Sequence, residues 1–212
     1  AAHVRILRRC RLALVRDARD PGNGARPSCA TLWRRRIFAA TRAAVRYLDK
    51  IIGREKLTAL AAQARGAGRR VVFTNGCFDL VHVGHVRYLA AARDAADLLI
   101  VGVNDDASVR RLKGPSRPLV SEAARAEVLA ALAAVDYVTL FGEDTPYELI
   151  GAVQPDVLVK GSDWAASDVV GRDIVEARGG RVLLIPVVAG FSTTSLLERL
   201  RQPSGRAADW SG

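Results

Sequence analysis

The feature that most constrains the fold is a regular alternation, from residue 51 onward, between short apolar runs and segments with helical periodicity. The apolar runs are nearly continuous in Val, Ile and Leu, as expected for strands whose two faces are both covered by helices. The predicted strands are 71–74, 98–103, 137–141, 157–159 and 181–186, and the predicted helices are 54–67, 83–94, 121–134, 145–153, 168–177 and 192–200. This order predicts an α/β fold with a doubly wound parallel sheet of five strands, in which ligands bind beyond the carboxyl ends of the strands.

The positive charge of the chain is confined to its first fifty residues. Residues 1–50 contain 13 Lys and Arg against 3 Asp and Glu, and this excess of ten equals the net charge of the whole chain. We expect this Arg- and Ala-rich segment to be a flexible basic extension or translated sequence upstream of the true start; a nucleic-acid-binding arm and an organelle-type transit segment are the alternatives. Residues 51–202 are predicted to form one domain, and residues 203–212 a disordered tail.

Cysteine usage and hydropathy favour a soluble, cytoplasmic protein. The three cysteines, Cys10, Cys29 and Cys77, are widely spaced and include no CxxC pair, which argues against a disulfide framework or a zinc ribbon. No apolar run approaches the roughly 18 residues of a membrane span. The basic N-terminus lacks the sustained apolar segment of a secretion signal.

The stretch TNGCFDLVHVGH, residues 74–85, is the most informative motif in the chain. It runs from the end of the first predicted strand into the following helix, where the backbone N–H groups and the helix dipole suit a phosphate. Gly76 permits close approach of a ligand, and His82 and His85 can both face the same anion. No third or fourth ligand lies at the spacing of a closed metal site, and neither a Walker A loop nor a GxGxxG pattern follows this strand.

This motif resembles the signature of the HxGH nucleotidyltransferases of the cytidylyltransferase-like superfamily, with GCFD at 76–79 and HVGH at 82–85. The stretch FSTTS at 191–195 resembles their second motif, an STT turn that opens the last helix. Within the superfamily the chain most resembles the D-glycero-β-D-manno-heptose 1-phosphate adenylyltransferases, through KGPSRP at 113–118, GEDTP at 142–146 and PDVLVKGSDW at 155–164. The resemblance covers roughly residues 51–202 and none of the basic extension.

The resemblance implies a Rossmann-like domain that transfers AMP from ATP to the sugar phosphate, with Mg²⁺ bound to the triphosphate and a homodimeric assembly. Members of this family often form the C-terminal half of a bifunctional heptose kinase/adenylyltransferase. Because only a basic segment of fifty residues precedes the domain here, we expect a stand-alone transferase whose kinase is another chain.

The resemblance also implies roles for individual residues. The expected catalytic residues are His82, His85 and Lys113. The expected nucleotide-binding residues are Asn75, Gly76, Cys77, Phe78, Asp79, Gly84, Arg125, Ser192, Thr193 and Thr194. The expected substrate-binding residues are Arg117, Lys160, Gly161, Asp163 and Trp164. The metal ligands stay unassigned.

Several of these side chains have a second reading. Asp79 is either an outer-sphere partner of the metal ion or a structural cap. Arg125 either grips phosphate from its helix or is an exposed helix residue. Cys77 is expected to fill a tight turn rather than to act as a nucleophile, and residues 144–146 are expected to begin a helix rather than to take part in catalysis. Trp164 either contacts a ligand or packs against the sheet.

Two rival functions follow from the same sequence. One is the same chemistry on other substrates, for example a cytidylyltransferase acting on glycerol 3-phosphate, because no residue decides adenine against cytosine. The other is a nucleotide-sensing, nucleic-acid-binding protein that uses the arginines of the basic extension.

Overall fold

The computed structural model describes residues 45–162 and 168–186, together with residues 190, 191, 193 and 196. The predicted tail at 203–212 lies outside the described residues, as does the basic extension up to residue 44. Of the predicted last helix, Thr193 and Leu196 are described, and both are helical. Within these described ranges, no helix combines the length and the hydropathy needed to cross a bilayer.

A parallel sheet of five strands organises the fold. Its strands are β1 (Val71–Gly76), β2 (Leu98–Asn104), β3 (Tyr137–Phe141), β4 (Val157–Gly161) and β5 (Arg181–Ile185), arranged in the order β3-β2-β1-β4-β5. Every neighbouring pair is parallel. Because the strand order reverses on either side of β1, a crevice opens at the carboxyl ends of β1 and β4, where ligands bind in sheets of this kind. The predicted fold class is confirmed.

Helices cover both faces of the sheet. They are α1 (Arg54–Gly66), α2 (Val83–Asp94), α3 (Asp106–Lys113), α4 (Glu122–Ala131), α5 (Tyr147–Val153) and α6 (Arg172–Glu176). The alternation of side chains along β1 feeds two separate cores. Val72 belongs to the core that includes Leu89 of α2 and Leu129 of α4, whereas Phe73 belongs to the core that includes Leu57 of α1 and Ile150 of α5.

Helix α3 was not predicted from the sequence. The sequence reading places Lys113 in a loop after the second strand, but residues 106–113 form a helix of which Lys113 is the last residue. Asp105 caps this helix by accepting a hydrogen bond from the backbone N–H of Ser108 at 2.7 Å. Only Ser108 and Val109 are buried in this eight-residue, largely polar helix, so it offers few apolar positions from which a helix could be recognised.

Two other helices are markedly shorter than predicted, for backbone reasons. The helix predicted over 121–134 ends at Ala131, because Leu132 adopts an extended conformation. The helix predicted over 168–177 shrinks to Arg172–Glu176, because the preceding Gly171 has a φ of +84° and cannot be part of a right-handed helix.

A short 3₁₀ helix, Val45–Lys50, precedes α1 and contacts α4. The Lys50 ammonium donates hydrogen bonds to the carbonyls of Leu132 at 3.3 Å and Val135 at 2.8 Å. The Tyr47 hydroxyl donates to the Glu127 carboxylate at 2.7 Å. The boundary predicted between residues 50 and 51 therefore falls inside packed structure.

Aspartates close the amino-terminal edge of the sheet. Asp97, Asp136 and Asp156 each directly precede a strand and accept a hydrogen bond from a backbone N–H at the start of the neighbouring strand. The donors are the N–H groups of Arg70, Leu99 and Val71, at 2.8, 2.8 and 2.7 Å respectively. These bonds satisfy backbone groups that would otherwise lack partners where the ladder begins.

Candidate active site

A cavity of about 720 Å³ opens at the carboxyl ends of β1, β2 and β4. Ten of the predicted site residues line it: Asn75, Gly76, Cys77, Phe78, Asp79, His85, Lys113, Arg117, Lys160 and Thr193. His82, Gly84, Arg125 and Gly161 do not line it, and Asp163, Trp164, Ser192 and Thr194 lie outside the described residues. The volume and the position at the switch point are those of a small-molecule site.

The two histidines of the motif stack on each other. His82 is the N-cap of α2 and His85 lies in its first turn, and their ring centroids are 3.9 Å apart with an interplanar angle of 28°. The Nδ1 atoms of both rings are buried and have no hydrogen-bond partner among the described residues. Buried polar atoms are rarely left unpaired, and such exceptions point to a ligand or to a catalytic role.

Burial makes both imidazoles hard to protonate. It lowers the pKa of His82 below its ordinary value. The pKa of His85 falls from 6.5 to about 4, mainly through burial and secondly through the charge of a protonated His82, although the backbone of Leu80 opposes the shift. Both rings are therefore neutral at neutral pH when no ligand is bound. A phosphate placed beside them would shift both pKa values upward.

Gly84 makes room for this arrangement. A Cβ atom at position 84 would lie 2.9 Å from two atoms of the His82 ring and 3.5 Å from Cβ of Phe191. The first distance is shorter than a van der Waals contact, so any larger residue would displace the imidazole. The glycine between the two histidines is thus a steric requirement of the stacked pair.

Phe78 bends the chain between β1 and α2. Its φ is +48°, a conformation that is strained for a bulky residue. The side chain is 6% exposed, and its ring meets the His85 ring edge-on with centroids 5.2 Å apart. This ring also lies against Gly76, where a Cβ atom would be 3.1 Å from it. The strained turn therefore places an aromatic wall behind His85.

Asp79 acts as a structural cap. One carboxylate oxygen accepts hydrogen bonds from the backbone N–H groups of Leu119 at 2.7 Å and Val120 at 3.0 Å. The other oxygen forms an ion pair with Nε of Arg117 at 2.5 Å, with an alignment that does not make it a hydrogen bond. Asp79 as a whole residue is 3% exposed. These contacts fit the structural reading of Asp79, and its reading as an outer-sphere partner of the metal ion stays a prediction.

Arg125 is buried, which contradicts its reading as an exposed helix residue. It is 1% exposed, and its guanidinium donates to the carbonyl of Cys77, to the carbonyl of Val120 and to the carboxylate of Asp106. These three bonds occupy all three guanidinium nitrogens inside the protein. Arg125 is therefore directed to the protein interior and not to the cavity that it was predicted to serve.

Three cationic side chains line the cavity. Lys160 donates a hydrogen bond to the side-chain oxygen of Asn75 at 2.6 Å, which joins the ends of β4 and β1. Arg117 uses Nε for its ion pair with Asp79. Lys113 is exposed and forms no ion pair within the part of the chain that the structure describes. The cavity thus carries positive charge suited to phosphates.

Cys77 also lines the cavity. Burial raises the pKa of its thiol, while the nearby Lys113, Arg125 and Arg117 lower it and Asp79 raises it further. Because the net shift is upward, little thiolate exists at neutral pH. The expectation that Cys77 fills a tight turn and does not act as a nucleophile stays a prediction.

Sequence reasoning missed several lining residues. They are Asn104, Leu112, Asp144, Thr145, Pro146 and Val170. Asn104 ends β2 beside Asn75 and Gly76 of β1, so its place at the carboxyl edge was open to prediction from the strand pattern. Residues 144–146 were read as the start of a helix, and Pro146 is indeed the N-cap of α5; the structure adds that they also face the cavity.

Known proteins with similar sequences match the part of the chain that contains this site. A family model described as cytidylyltransferase-like matches residues 73–198. The bifunctional protein HldE of Syntrophotalea carbinolica is 58% identical over 157 residues, which cover 74% of this chain and 32% of the relative. HldE of Rhodopseudomonas palustris strain BisB5 is 62% identical over 155 residues, which cover 73% of this chain and 32% of the relative. The chain spans about a third of the length of the curated relatives it matches.

Among solved structures, the lipopolysaccharide core biosynthesis protein from Thermoplasma volcanium GSS1 is similar at a TM-score of 0.48 and 27% identity. That match covers 57% of this chain and 98% of the other.

Proposed function

The chain belongs to the cytidylyltransferase-like family, and on that premise we propose that it transfers AMP from ATP to D-glycero-β-D-manno-heptose 1-phosphate, giving ADP-heptose and pyrophosphate. The observation that carries the chemistry is the stacked pair of His82 and His85, with both Nδ1 atoms buried and unpaired among the described residues, beside a cationic cavity at the switch point. The choice of sugar phosphate rests on the sequence stretches 113–118, 142–146 and 155–164. The identity of about 60% to relatives named bifunctional protein HldE supports the same choice of sugar phosphate.

The reaction is an in-line displacement at the α-phosphorus of ATP. A phosphate oxygen of the sugar phosphate forms the new bond to the α-phosphorus, the bond to the bridging oxygen of the β-phosphate breaks, and pyrophosphate leaves with that oxygen. No covalent intermediate is needed, so the protein must align two anions and stabilise the charge that develops between them. Such a task calls for cations and fixed hydrogen-bond donors.

The two histidines supply such donors at the start of α2. Their neutral rings let the triphosphate enter a partly dry site, and the anion then favours protonation, because a nearby negative charge raises the pKa of an imidazole. Each protonated ring has two donors, one of which is the buried Nδ1–H. We assign His82 and His85 to the α- and β-phosphates.

The remaining cationic side chains of the cavity bind the other phosphate oxygens. Lys113 and Arg117 lie at the end of α3 and in the segment after it, and we assign Lys113 to the transferring phosphates and Arg117 to the sugar phosphate. The ion pair with Asp79 uses Nε of Arg117, so among the described residues its two terminal nitrogens are open to a substrate anion. Lys160, fixed by Asn75, contacts the substrate from the β4 side.

Magnesium fits this site as an ion carried by ATP. The described residues contain no group of three or more His, Cys, Asp or Glu that could hold a metal ion. Of the carboxylates at the cavity, Asp79 is occupied by two amides and Arg117, and Asp144 is paired with Arg111. Mg²⁺ is commonly held by phosphates and water with few protein ligands. When bound, the ion would neutralise charge on the β- and γ-phosphates.

The proposal extends to assembly and setting. We propose a homodimer in the cytoplasm that does not use nucleic acid as a partner. The family resemblance supports the dimer, the use of ATP supports the compartment, and the charge balance of residues 51–212 supports the absence of nucleic acid. A chain that starts at residue 45 should keep full transferase activity, and light scattering should give twice its mass. Loss of activity in a folded chain of this length would contradict the assignment of the site to the described domain.

Labelled ATP tests the reaction type. With ATP labelled at the α-phosphate, the label should appear in a sugar nucleotide with the mass of ADP-heptose. With ATP labelled at the γ-phosphate, all of the label should appear in pyrophosphate. Transfer of the γ-label to the sugar would show a kinase and would contradict the proposal.

A further inference from the structure

The β1–α2 turn is held on both sides of its strained residue. Phe78 has a φ of +48°, and a bulky residue keeps such a conformation only where its surroundings impose it. On one side, the carbonyl of Cys77 accepts a hydrogen bond from Arg125. On the other side, the carboxylate of Asp79 is fixed by the backbone N–H groups of Leu119 and Val120. The strained residue is thus flanked by two anchors.

These two anchors close into a single network. Nε of Arg125 donates to the carbonyl of Val120 at 2.9 Å. The backbone N–H of Val120 in turn donates to the carboxylate of Asp79. A third guanidinium nitrogen, Nη2, binds the carboxylate of Asp106 at 2.8 Å, at the start of α3. We call Asp79, Asp106 and Arg125, with the peptide groups they bind, the buried brace. It joins the β1–α2 turn, the segment before α4 and the first turn of α3.

Stability alone is a poor explanation for the buried brace. The side chain of Arg125 is fully buried and that of Asp79 is 1% exposed. Taking charges out of water is expensive, and apolar residues of similar size often give an equally stable protein. What apolar residues do not provide is directional bonds to defined backbone atoms. The position of those atoms, on either side of Phe78, is what the network fixes.

We propose that Arg125 and Asp79 are positioning residues, which hold Phe78 in its strained conformation and thereby set the His85 ring against the reacting phosphates. This inference rests on the proposed function, because it assigns the two residues a part in the same reaction. The path is short: the ring of Phe78 lies edge-on to His85 at 5.2 Å, and His85 stacks on His82 at 3.9 Å. Arg125 acts through this path and does not itself contact the nucleotide.

The substitution Arg125→Lys tests the proposal, because it retains the positive charge and replaces the planar guanidinium group by an ammonium group. A lysine can satisfy Asp106 or a carbonyl, but it cannot bind three groups in fixed directions. We expect kcat to fall on the order of 100-fold, because displacement of a catalytic group by about 1 Å has that effect, while KM for ATP changes little. The matched control is Arg93→Lys, which alters an arginine–aspartate pair with Asp136 near the opposite edge of the sheet, and there kcat should be unchanged.

A second variant keeps the test decisive if Arg125→Lys does not fold. Asp106→Asn weakens one of the three bonds at a partner that is 23% exposed, so we expect a folded protein with a smaller fall in kcat. In the double variant Arg125→Lys/Asp106→Asn, the second change should add little, since both act on the same network. Independent, multiplicative losses would overturn the proposal, as would an unchanged kcat or a raised KM for ATP in folded Arg125→Lys.

Amide hydrogen exchange separates this proposal from the proposed function. The N–H groups of Leu119 and Val120 should exchange faster in Arg125→Lys than in the wild type, and at the wild-type rate in Arg93→Lys. If the wild type transfers no nucleotide, the proposed function fails, and this exchange still decides whether the brace exists. Unchanged exchange in Arg125→Lys would overturn the brace, whatever the activity.

Discussion

The two edges of the sheet differ in whether their polar groups have hydrogen-bond partners. At the amino-terminal edge, Asp97, Asp136 and Asp156 each accept a backbone hydrogen bond from a neighbouring strand. At the carboxyl edge, the buried Nδ1 atoms of both motif histidines lack partners among the described residues, and Phe78 is strained. Among the described residues, the aspartates at the amino-terminal edge are therefore hydrogen-bonded, whereas the carboxyl edge, which carries the cavity, includes buried histidine nitrogens without partners.

This difference separates stability from chemistry. A carboxylate at a strand end that accepts a backbone hydrogen bond stabilises the fold. An unpaired buried imidazole costs free energy in the unliganded protein, and that cost is recovered when an anion binds. We therefore expect substitutions at the amino-terminal edge to change unfolding, and substitutions at the carboxyl edge to change turnover.

The largest effect is expected for His82→Ala. Loss of a preorganised donor to the transferring phosphates should lower turnover by about 10²–10³-fold, with the unfolding transition nearly unchanged. Val86→Ala on the exposed face of the same helix, at a residue that is 43% exposed, is the control and should behave as wild type. Near-normal turnover of a folded His82→Ala protein would contradict the expectation that substitutions at the carboxyl edge change turnover.

The opposite edge is tested by Asp156→Ala. This change leaves the N–H of Val71 without its 2.7 Å partner, and we expect a loss of about 1–3 kcal/mol in the free energy of unfolding. Turnover of the folded fraction should stay at the wild-type level. Asp156→Asn keeps an acceptor oxygen and should retain most of the stability. A specific loss of turnover in Asp156→Ala would show that the two edges are not independent.

Gly84→Ala should reduce activity without reducing helix stability. Alanine favours a helix over glycine by roughly 0.5–1 kcal/mol, but its Cβ would lie 2.9 Å from the His82 ring. We expect the ring to shift by a few tenths of an ångström, with a fall in turnover of about tenfold. Gly66→Ala is the matched control, because no atom lies within 4 Å of the added Cβ at the end of α1. Equal turnover in the two variants would refute the steric role of Gly84.

A smaller effect is expected from the titration of His85. Its pKa falls from 6.5 to about 4 on folding, so the folded state disfavours the protonated ring. The stabilising contribution is therefore present above pH 6.5 and is lost as the pH falls from 6.5 towards 4. Urea unfolding at pH 7 and pH 5 should show a larger loss for the wild type than for His85→Gln. An equal loss in both proteins would contradict the assignment of this shift to His85.

The fold was predictable to the extent that its strands are continuous apolar runs. β2 is buried at all seven positions, and such a run between turn residues admits few other readings. Helix α3 was missed because its stability comes from the Asp105 cap and from ionic contacts of its exposed face, including Arg111 with Asp144. The contact of Arg111 with Asp144 joins residues 33 positions apart and leaves no pattern that could be recognised in the sequence.

The site was predictable in place but not in all of its roles. The motif at 74–85 and its position after the first strand located the cavity. Whether Arg125 faced a ligand or the interior depended on Cys77, 48 residues away, and the role of Asp79 depended on amides 40 and 41 residues away. A charged residue looks the same in the sequence whether it binds substrate or holds a turn in place, so the sequence alone could not distinguish the two roles.

The central claim is tested most directly by measuring pyrophosphate release by the full chain with Mg²⁺, crossing ATP and CTP against D-glycero-β-D-manno-heptose 1-phosphate and glycerol 3-phosphate. We predict release with ATP and the heptose phosphate alone, and its loss in His82→Ala. Release with CTP or with glycerol 3-phosphate in preference to that pair would contradict the substrate assignment. No release from a folded protein with any pair would contradict the account as a whole.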